Sequence, residues 1–290
     1  MQTRFTSRKL LCLSIMLLIQ ICATAQTETK TKKHKTGSFY FSWGYNAEWY
    51  TNSTVHIEQD ALGNNYDMVH MKAQDHKGWD YGVLNKALTI PQYNYRLGWY
   101  FNERQDLGVE INFDHTKYLL TDGQYMQITG KMNNQQVNEY LMFSQGNGFY
   151  YYLNNGANFF LFNFVRRTGL YSSKDNNLHI DLISKAGVGP VVPHVQNSLF
   201  GQANNPHFQF GGWNIGQENV IRFTVMKYGF IEFSEKADYA RYSHLAIYEG
   251  YAKQAFGTIE FIASIGFILP SHKGNPKFAK KADNGASIWR

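Results

Sequence analysis

A serine and three histidines in the second half of the sequence have the types of side chain that nucleophilic hydrolysis needs. Ser243 and His244 are adjacent in "ARYSHLAIY", and His194 and His207 lie earlier, in a predicted loop. A serine nucleophile requires a base within hydrogen-bond reach of its hydroxyl. Adjacent residues of a strand point to opposite faces, so His244 cannot serve Ser243 from a regular strand. A hydrolase would therefore need His194 or His207 to be brought close to Ser243 by the fold.

Two further segments contain acids and histidines. The segment 69–80, "VHMKAQDHKGWD", has four potential metal ligands, namely His70, Asp75, His76 and Asp80. It lacks a fixed ligand spacing such as His-Glu-x-x-His, and loops are commonly rich in these residue types. In "DHTKY", Asp114 and His115 are neighbours on a predicted strand and point apart, so they form no acid/base pair. We therefore predict neither a metal site nor a cofactor.

The first residues predict secretion. A basic start is followed by the apolar run "LLCLSIMLLIQICATA", which ends at the small residues of a cleavage site near Ala25. These are the features of a signal peptide, and the run is short for a spanning helix. Both cysteines, Cys12 and Cys22, lie within residues 1–25. The mature chain would thus have no disulfide, thiolate metal site or cysteine nucleophile.

Several later segments alternate large apolar residues with small or polar ones, which is typical of β-strands. The clearest are 37–51, 92–101 and 107–120, and less regular ones follow at 157–168, 178–192, 208–225, 228–240 and 251–268. In a membrane barrel the apolar set faces lipid. The predicted lipid-facing residues are Phe41, Trp43, Tyr45, Trp49, Tyr95, Trp99 and Phe113.

The connections between these segments alternate in length. Short turns are predicted at 102–106, 171–176 and 226–228, whereas the longest loops are 52–88 and 121–156. Outer-membrane barrels have an even number of strands, short periplasmic turns and long outer loops. We therefore predict an all-β fold, a transmembrane antiparallel β-barrel of about eight strands, over residues 37–270.

The alternative is a secreted β-sandwich, which would also have short alternating strands. The segment 92–101 argues against it, because the aromatic face opposes a face that contains Arg96. A soluble fold would have to bury the arginine or expose the aromatic row.

The opposite face of the predicted strands carries charges of both signs. The predicted lumenal set is Glu48, Arg96, Glu110, Asp114, Asp181, Lys185, Glu218, Arg222, Glu232, Lys236 and Glu260. Eight strands enclose a space only wide enough for side chains to fill it. These residues are therefore expected to pair within a plugged lumen; a narrow pore is the alternative.

Charge is concentrated at the two ends of the mature chain. The formal net charge of the full sequence is +6 at pH 7, and lysines cluster in 26–36 and in 271–290. In a barrel with both ends on the periplasmic side, these would be basic periplasmic segments, so nucleic acid is not an expected partner.

The signal peptide, the alternating aromatic strands and the rhythm of long and short connections resemble the small outer-membrane barrels of the OmpA and OmpX type, over roughly residues 37–270. The resemblance implies the outer membrane of a Gram-negative bacterium, with membrane lipid and lipopolysaccharide as partners. It also implies recognition by the barrel-insertion machinery, here through an internal signal around 264–269.

The same class contains enzymes that deacylate or palmitoylate lipid A, so a lipid A-modifying activity is one alternative. The His-x-Ser pair of the deacylases and the Asp-Ser pair of the palmitoyl transferase are not found here. A narrow pore for small or hydrophobic solutes is another alternative. The leading expectation is a non-enzymatic structural, adhesive or surface-binding role, exerted through the loops 52–88 and 121–156.

Overall fold

The computed structural model describes residues 37–76, 92–101, 106–226 and 228–270. The predicted signal peptide (1–25) and the basic segments (26–36 and 271–290) lie outside the described residues, as does Asp80. No helix among the described residues is long and apolar enough to cross a membrane.

The described chain is built from β-strands. In chain order they are β1 (Ser38–Tyr50), β2 (Ser53–Gln59), β3 (Asn64–Met71), β4 (Ala73–Gln74), β5 (Tyr93–Tyr100), β6 (Leu107–Asp114), β7 (Tyr118–Leu120), β8 (Gln124–Met132), β9 (Gln135–Phe143), β10 (Tyr150–Leu153), β11 (Phe159–Ser172), β12 (Leu178–Val191), β13 (His194–Leu199), β14 (Gln202–Ala203), β15 (His207–Phe208), β16 (Gly212–Val225), β17 (Gly229–Ile247) and β18 (Gly250–Pro270).

Eight of these strands close into a barrel. They pair antiparallel in the order β1, β5, β6, β11, β12, β16, β17 and β18, and β18 pairs back onto β1. Closure leaves no unpaired edge in this ring, so its backbone groups are satisfied by neighbouring strands. The predicted eight-stranded antiparallel barrel is confirmed.

The barrel has a polar interior and an apolar exterior. On β1, Glu48 is 2% exposed while the next residue, Trp49, is 54% exposed. On β5, the same alternation places Arg96 in the barrel interior, whereas Leu97 is 55% exposed on the outside. A soluble sheet would bury the apolar member of each pair, so this polarity is that of a membrane barrel.

A second region stands on one end of the barrel. Here β2, β3, β8 and β9 extend the large sheet from β18, and a second sheet runs in the order β14, β13, β10, β7 and β4, with β15 on β13. We call this region the cap, and it includes the ends of β17 and β18 near their connection at 248–249. We call the barrel end that bears it the loop end, and the opposite end the turn end.

The cap has an apolar interior, unlike the barrel. Its buried side chains form one cluster with members from both sheets, among them Val55, Ile57, Met68, Leu120, Met126, Ile128, Tyr151, Leu153, Val195 and Leu245. Residues 52–76 and 121–156, predicted as long loops, therefore contain β2–β4 and β8–β10.

The predicted strand 107–120 is interrupted. Strand β6 ends at Asp114, and the chain then leaves the barrel through 115–117, where the His115 N–H donates to the Tyr93 carbonyl at 2.9 Å. It resumes as β7, which pairs with β4 and β10 in the cap. Both pieces alternate in the same way, so periodicity alone does not reveal the change of sheet.

Strand β17 passes from the barrel into the cap through a β-bulge. Its pairing with β18 shifts between Tyr242 and Leu245, and His244 has a φ of 57°. Even-numbered residues face inward up to Tyr242, whereas Leu245 and Ile247 are the buried residues beyond it. One extra residue reverses which side of a strand faces inward. The bulge therefore lets β17 bury even-numbered residues in the barrel and odd-numbered residues in the cap.

Candidate functional site

The lumen contains a charge network near the middle of the barrel. Arg96 contacts Asp114 at 2.5 Å and Glu218 at 3.3 Å, and its Nε lies 3.9 Å from Glu110. Lys185 bridges to Glu110 at 2.9 Å and to Glu218 at 3.5 Å. Charges so deeply buried require partners of opposite sign. The network therefore joins β5, β6, β12 and β16 across the lumen.

A third cation completes this layer. Lys236 Nζ lies 2.6 Å from Asp114 and from Asp238, and 3.5 Å from Glu260. Glu48 lies on β1 near the loop end. Its carboxylate accepts a hydrogen bond from the Asn46 side chain, and its backbone N–H donates to Asp75 at 3.0 Å. Asp75, which follows β4, thus ties the cap to β1.

A second layer lies nearer the turn end. Arg222 pairs with Glu232 at 2.6 Å and Arg167 with Asp181 at 2.7 Å. The Arg222 guanidinium lies 4.0 Å from the ring centre of Phe230. Such contacts stabilise a cation on an aromatic face. All of the residues predicted from the sequence as lumenal are buried in the interior.

Sequence reasoning missed two members of these layers. Arg167 and Asp238 are each 5% exposed or less. Asp238 is two residues from Lys236, so alternation along β17 could have identified it. Arg167 follows the neighbouring Arg166, and only the register of β11 tells which of the two faces inward.

The predicted lipid-facing residues lie on the outward side of the barrel. Tyr95 is 41% and Trp99 42% exposed. Phe41, Trp43, Tyr45 and Phe113 are half-buried among neighbouring rings; Phe41, for example, has ring centroid distances of 6.1 Å to Tyr95 and 5.8 Å to Phe267. Cross-strand aromatic pairs of this kind stabilise a sheet.

A layer of aromatic side chains covers the lumen at the loop end. Tyr118 stacks on Phe256 at a centroid distance of 4.3 Å, and Tyr242 stacks on the same ring at 5.5 Å. Tyr50 meets Phe256 edge-on at 5.6 Å, and its hydroxyl donates to the Lys117 carbonyl. This layer separates the charged lumen from the apolar interior of the cap.

The structure does not bring the predicted serine and histidines into hydrogen-bond contact. Ser243 lies in the bulge of β17, where its N–H donates to the Gly211 carbonyl at 2.7 Å. His194 and His207 lie on the paired strands β13 and β15, and His207 Nδ1 contacts the Asn205 carbonyl. Within the described part of the chain, no hydrogen bond joins Ser243 to either histidine.

Among the candidate catalytic residues Ser243, His194 and His207, His194 has a clearly lowered pKa. Its ring meets Phe208 at a centroid distance of 4.8 Å. Burial, with a smaller contribution from His207, lowers the pKa of His194 below its ordinary value of 6.5. Desolvation disfavours the charged imidazolium, so His194 is neutral near pH 7.

The described histidines and the described acid of the segment 69–80 have separate surroundings. His70 has a φ of 54° at an irregular point in the pairing of β2 with β3. His76 contacts the Asn154 side chain at 3.0 Å, and Asp75 faces β1. No group of three or more His, Cys, Asp or Glu side chains is arranged to hold a metal ion in the described residues.

The cap presents a hairpin with an open edge. In the described residues β9 pairs with β8 alone, at the end of the large sheet. Tyr125 and Tyr140 are 74% and 70% exposed on the same face of this hairpin. An edge strand offers unpaired backbone groups, and exposed tyrosines are typical of binding surfaces. This hairpin is the described surface best suited to a macromolecular partner.

The turn of this hairpin is well defined. Asn133 and Asn134 have φ values of 49° and 64°, as a two-residue type I′ turn requires. The Asn134 N–H donates to the Gly63 carbonyl at 3.0 Å, and the Asn133 N–H to the Asn64 side chain at 2.9 Å. The hairpin is therefore anchored on the neighbouring β2–β3 connection.

No protein-family model matches the sequence, and no curated protein matches it. Solved structures with a similar fold are outer-membrane proteins. Ail of Yersinia pestis, in complex with the heparin analogue sucrose octasulfate, is 12% identical with a TM-score of 0.29, covering 82% of this chain and 100% of its own. OprG from Pseudomonas aeruginosa is 8% identical with a TM-score of 0.37, covering 83% and 99%. Neisserial surface protein A is 10% identical with a TM-score of 0.32, covering 80% and 97%.

These low values assign neither a family nor an activity. The barrel is established by the strand pairing of this chain itself, in which eight antiparallel strands enclose charged side chains and present an apolar exterior. That is the architecture of the small outer-membrane β-barrels that the sequence resembles.

Proposed function

We propose that this protein is an outer-membrane barrel that holds a binding module, the cap, outside the cell. The observation that carries the proposal is the contrast between a filled lumen and a folded cap with an open, tyrosine-bearing edge. A role limited to spanning the membrane would leave the cap without a purpose. A binding role uses both parts, the barrel as anchor and the cap as surface.

The outward band of the barrel supports location in a membrane. Exposed aromatic residues occur near the turn end, including Phe39 and Trp99, and again near the loop end, including Trp213 and Tyr239. Tyrosine and tryptophan at two levels are typical of the two membrane interfaces. Arg241, the cross-strand partner of Trp213, could there contact phosphates of lipid or lipopolysaccharide.

The connections support the proposed topology. Both ends of the described barrel, Ser38 and Pro270, are paired with each other at the turn end. In the outer membrane that end faces the periplasm, so the predicted basic segments 26–36 and 271–290 would be periplasmic. The cap would then face outward. Strand β18, which includes the predicted internal signal 264–269, would be read by the insertion machinery.

The lumen supports an anchor more than a conduit. Its ion pairs span the interior, and the aromatic layer of Tyr118, Tyr242 and Phe256 lies over them. A conducting path would have to open both layers. The lipid A-modifying alternative stays a prediction, since Ser243 has a backbone role in the bulge and the described geometry supplies no base for it.

The binding role is tested on cells that display the protein. We expect adhesion to surfaces coated with extracellular proteins or sulfated polysaccharides to fall strongly in the double variant Tyr125→Ala/Tyr140→Ala. Both rings are highly exposed, so their removal leaves the apolar core of the cap intact. The matched control is Tyr171→Ala, which removes a 51% exposed tyrosine at the turn end.

Folding is followed in the same samples by the gel shift between unheated and boiled protein. Adhesion that persists in the double variant, or in a variant that lacks residues 124–143, would contradict binding through this hairpin. Equal loss in the Tyr171→Ala control would point to a general effect on the envelope.

A further inference from the structure

One side of the barrel exterior carries polar side chains at mid-depth. They are Arg166 on β11, Ser184 on β12, Gln217 and Asn219 on β16, and Glu235 on β17. The register makes Asn219 the cross-strand partner of both Ser184 and Glu235. Arg166 is the partner of Ser184 on the other side. These residues therefore form one patch over four adjacent strands, which we call the exterior polar patch.

The patch lies between the two aromatic levels. Tyr239 is four residues from Glu235 toward the loop end, and Tyr228 is seven residues away toward the turn end. With about 2.5 Å of depth per residue of a tilted strand, Glu235 is about 10 Å from one level and about 18 Å from the other. Glu235 is thus within the hydrocarbon region of a membrane that spans the two levels.

The rest of the barrel wall, from β18 through β1 and β5 to β6, is apolar at this depth. Between the aromatic levels, the outward residues of β1, β5, β6 and β18 are aliphatic or aromatic, such as Leu97, Val109, Ile111 and Ile265. A carboxylate or carboxamide that faces lipid costs free energy, because lipid offers no hydrogen-bonding partner. The patch is therefore costly for an isolated barrel and needs a polar partner.

The patch has donors and acceptors left over. The Ser184 hydroxyl donates to Asn219 Oδ1 at 3.1 Å, which leaves the Asn219 amide N–H groups to donate elsewhere. In the described residues neither Gln217 nor Glu235 makes a side-chain hydrogen bond, and Glu235 is exposed. Carboxamide donors and a carboxylate acceptor therefore lie side by side on neighbouring strands.

We propose that the exterior polar patch is the interface of a homodimer in the membrane. A two-fold axis along the membrane normal keeps each residue at its own depth while it turns the patch to face itself. The amides of Gln217 and Asn219, at nearly the depth of Glu235, then donate to the Glu235 carboxylate of the second copy. Ala186 and Ala237, the cross-strand partners of Gln217, leave room for close approach.

The proposal is tested with single cysteines in the mature chain, which would contain no other cysteine. Ala237→Cys puts a thiol within the patch, and Ile111→Cys puts one on the outward face of β6, on the apolar side. The purified chain from residue 26 onward is folded into lipid vesicles at low protein density and treated with a short bifunctional thiol reagent. We expect a cross-linked dimer from Ala237→Cys and none from Ile111→Cys.

Glu235→Leu, added to Ala237→Cys, is expected to lower the cross-linked yield about tenfold, because a two-fold interface loses the same hydrogen bonds twice. Glu235→Gln, which retains hydrogen-bonding capacity, is expected to keep most of it. The gel shift on heating should be unchanged in both variants. Equal cross-linking at positions 237 and 111, or a yield unaffected by Glu235→Leu, would overturn the dimer. Cross-linking to a different protein in native membranes would also overturn it.

Discussion

The barrel and the cap are made by the same chain, share two strands and have opposite polarity. Inside the barrel, Arg96, Lys185 and Arg222 are 2% exposed or less, whereas inside the cap the fully buried residues include Ile57, Met68 and Ile128. The alternation of apolar and polar residues along a strand therefore determines which residues share a face. The surrounding medium, lipid or water, determines which of the two faces points inward. Lipid favours the apolar face outside, and water favours it inside.

At the bulge of β17, the strand changes from the barrel, with its polar interior, to the cap, with its apolar interior. Tyr242 is buried on the even-numbered side, and Leu245 is buried on the odd-numbered side. The two intervening residues, Ser243 and His244, oppose a single residue of β18. Ser243 and His244, which in the sequence are candidates for catalysis, therefore form the bulge that changes the inward-facing side of β17.

The comparison predicts the largest effect for loss of a lumenal cation. Arg96→Leu leaves Asp114 and Glu218 with fewer compensating charges, and we expect the free energy of unfolding to fall by about 3–5 kcal/mol. Arg241→Leu makes the same change on the outward side and should cost less than about 1 kcal/mol. Urea unfolding in vesicles measures both. Similar losses at the two positions would mean that the lumen does not depend on its charges.

The stability of the cap should depend on the size of its buried apolar side chains rather than on buried charges. Ile128→Ala removes a buried side chain from its apolar interior, which we expect to destabilise the cap by about 2–4 kcal/mol. Added protease should then cleave within residues 121–156 while the gel shift of the barrel persists. Ile265→Ala, on the outward face of β18, should leave cap cleavage unchanged, because lipid fills the space.

The hairpin turn is expected to give a smaller, local effect. Asn134→Val forces a β-branched residue into a positive φ, at a cost of about 1–2 kcal/mol. Hydrogen exchange should then become faster in β8 and β9 but not in the barrel. Asn134→Gly, which adopts this conformation freely, should retain the wild-type rates. Faster exchange in both variants would show that the asparagine side chain itself is required.

The smallest effect concerns pH. The pKa of His194 is lowered in the folded protein, so between that value and 6.5 the unfolded segment binds more protons. The stability of the surrounding strands β13 and β15 should therefore fall as the pH drops through about 6.5. Hydrogen exchange of 192–211 measures this, and His194→Gln should abolish the pH dependence. An unchanged dependence in the variant would assign it to another group.

Much of the barrel could be predicted from the sequence because its information is local. Alternation in 37–51 and 92–101 indicates both the strands and their faces, and the inward position of Glu110 or Lys236 follows from its apolar neighbours. Arg167 was missed because Arg166 precedes it, and two adjacent arginines leave the parity open until the register is known.

The second sheet of the cap was not predictable in the same way. Strand β7 has three residues and β4 has two, so neither shows a period. Their places in the sheet come from pairing with segments distant in sequence: β4 pairs with β7, and β7 pairs with β10. The positive φ of His70 and His244 likewise arises from bulges that the pairing imposes, which residue type does not announce.

Strand β18 has a consequence for the order of assembly. It pairs with β1 to close the barrel and, at Tyr251–Lys253, with β2 to join the cap to it. The β2–β3 hairpin is thus made early by the ribosome, and β3 can pair with β8, but β2 acquires its second neighbour only when the last described strand is in place. Long-range closures of this kind are slow. In the proposed topology, with the cap outside the cell, the cap segments would have to cross the membrane before β18 closes the barrel and joins it to the cap.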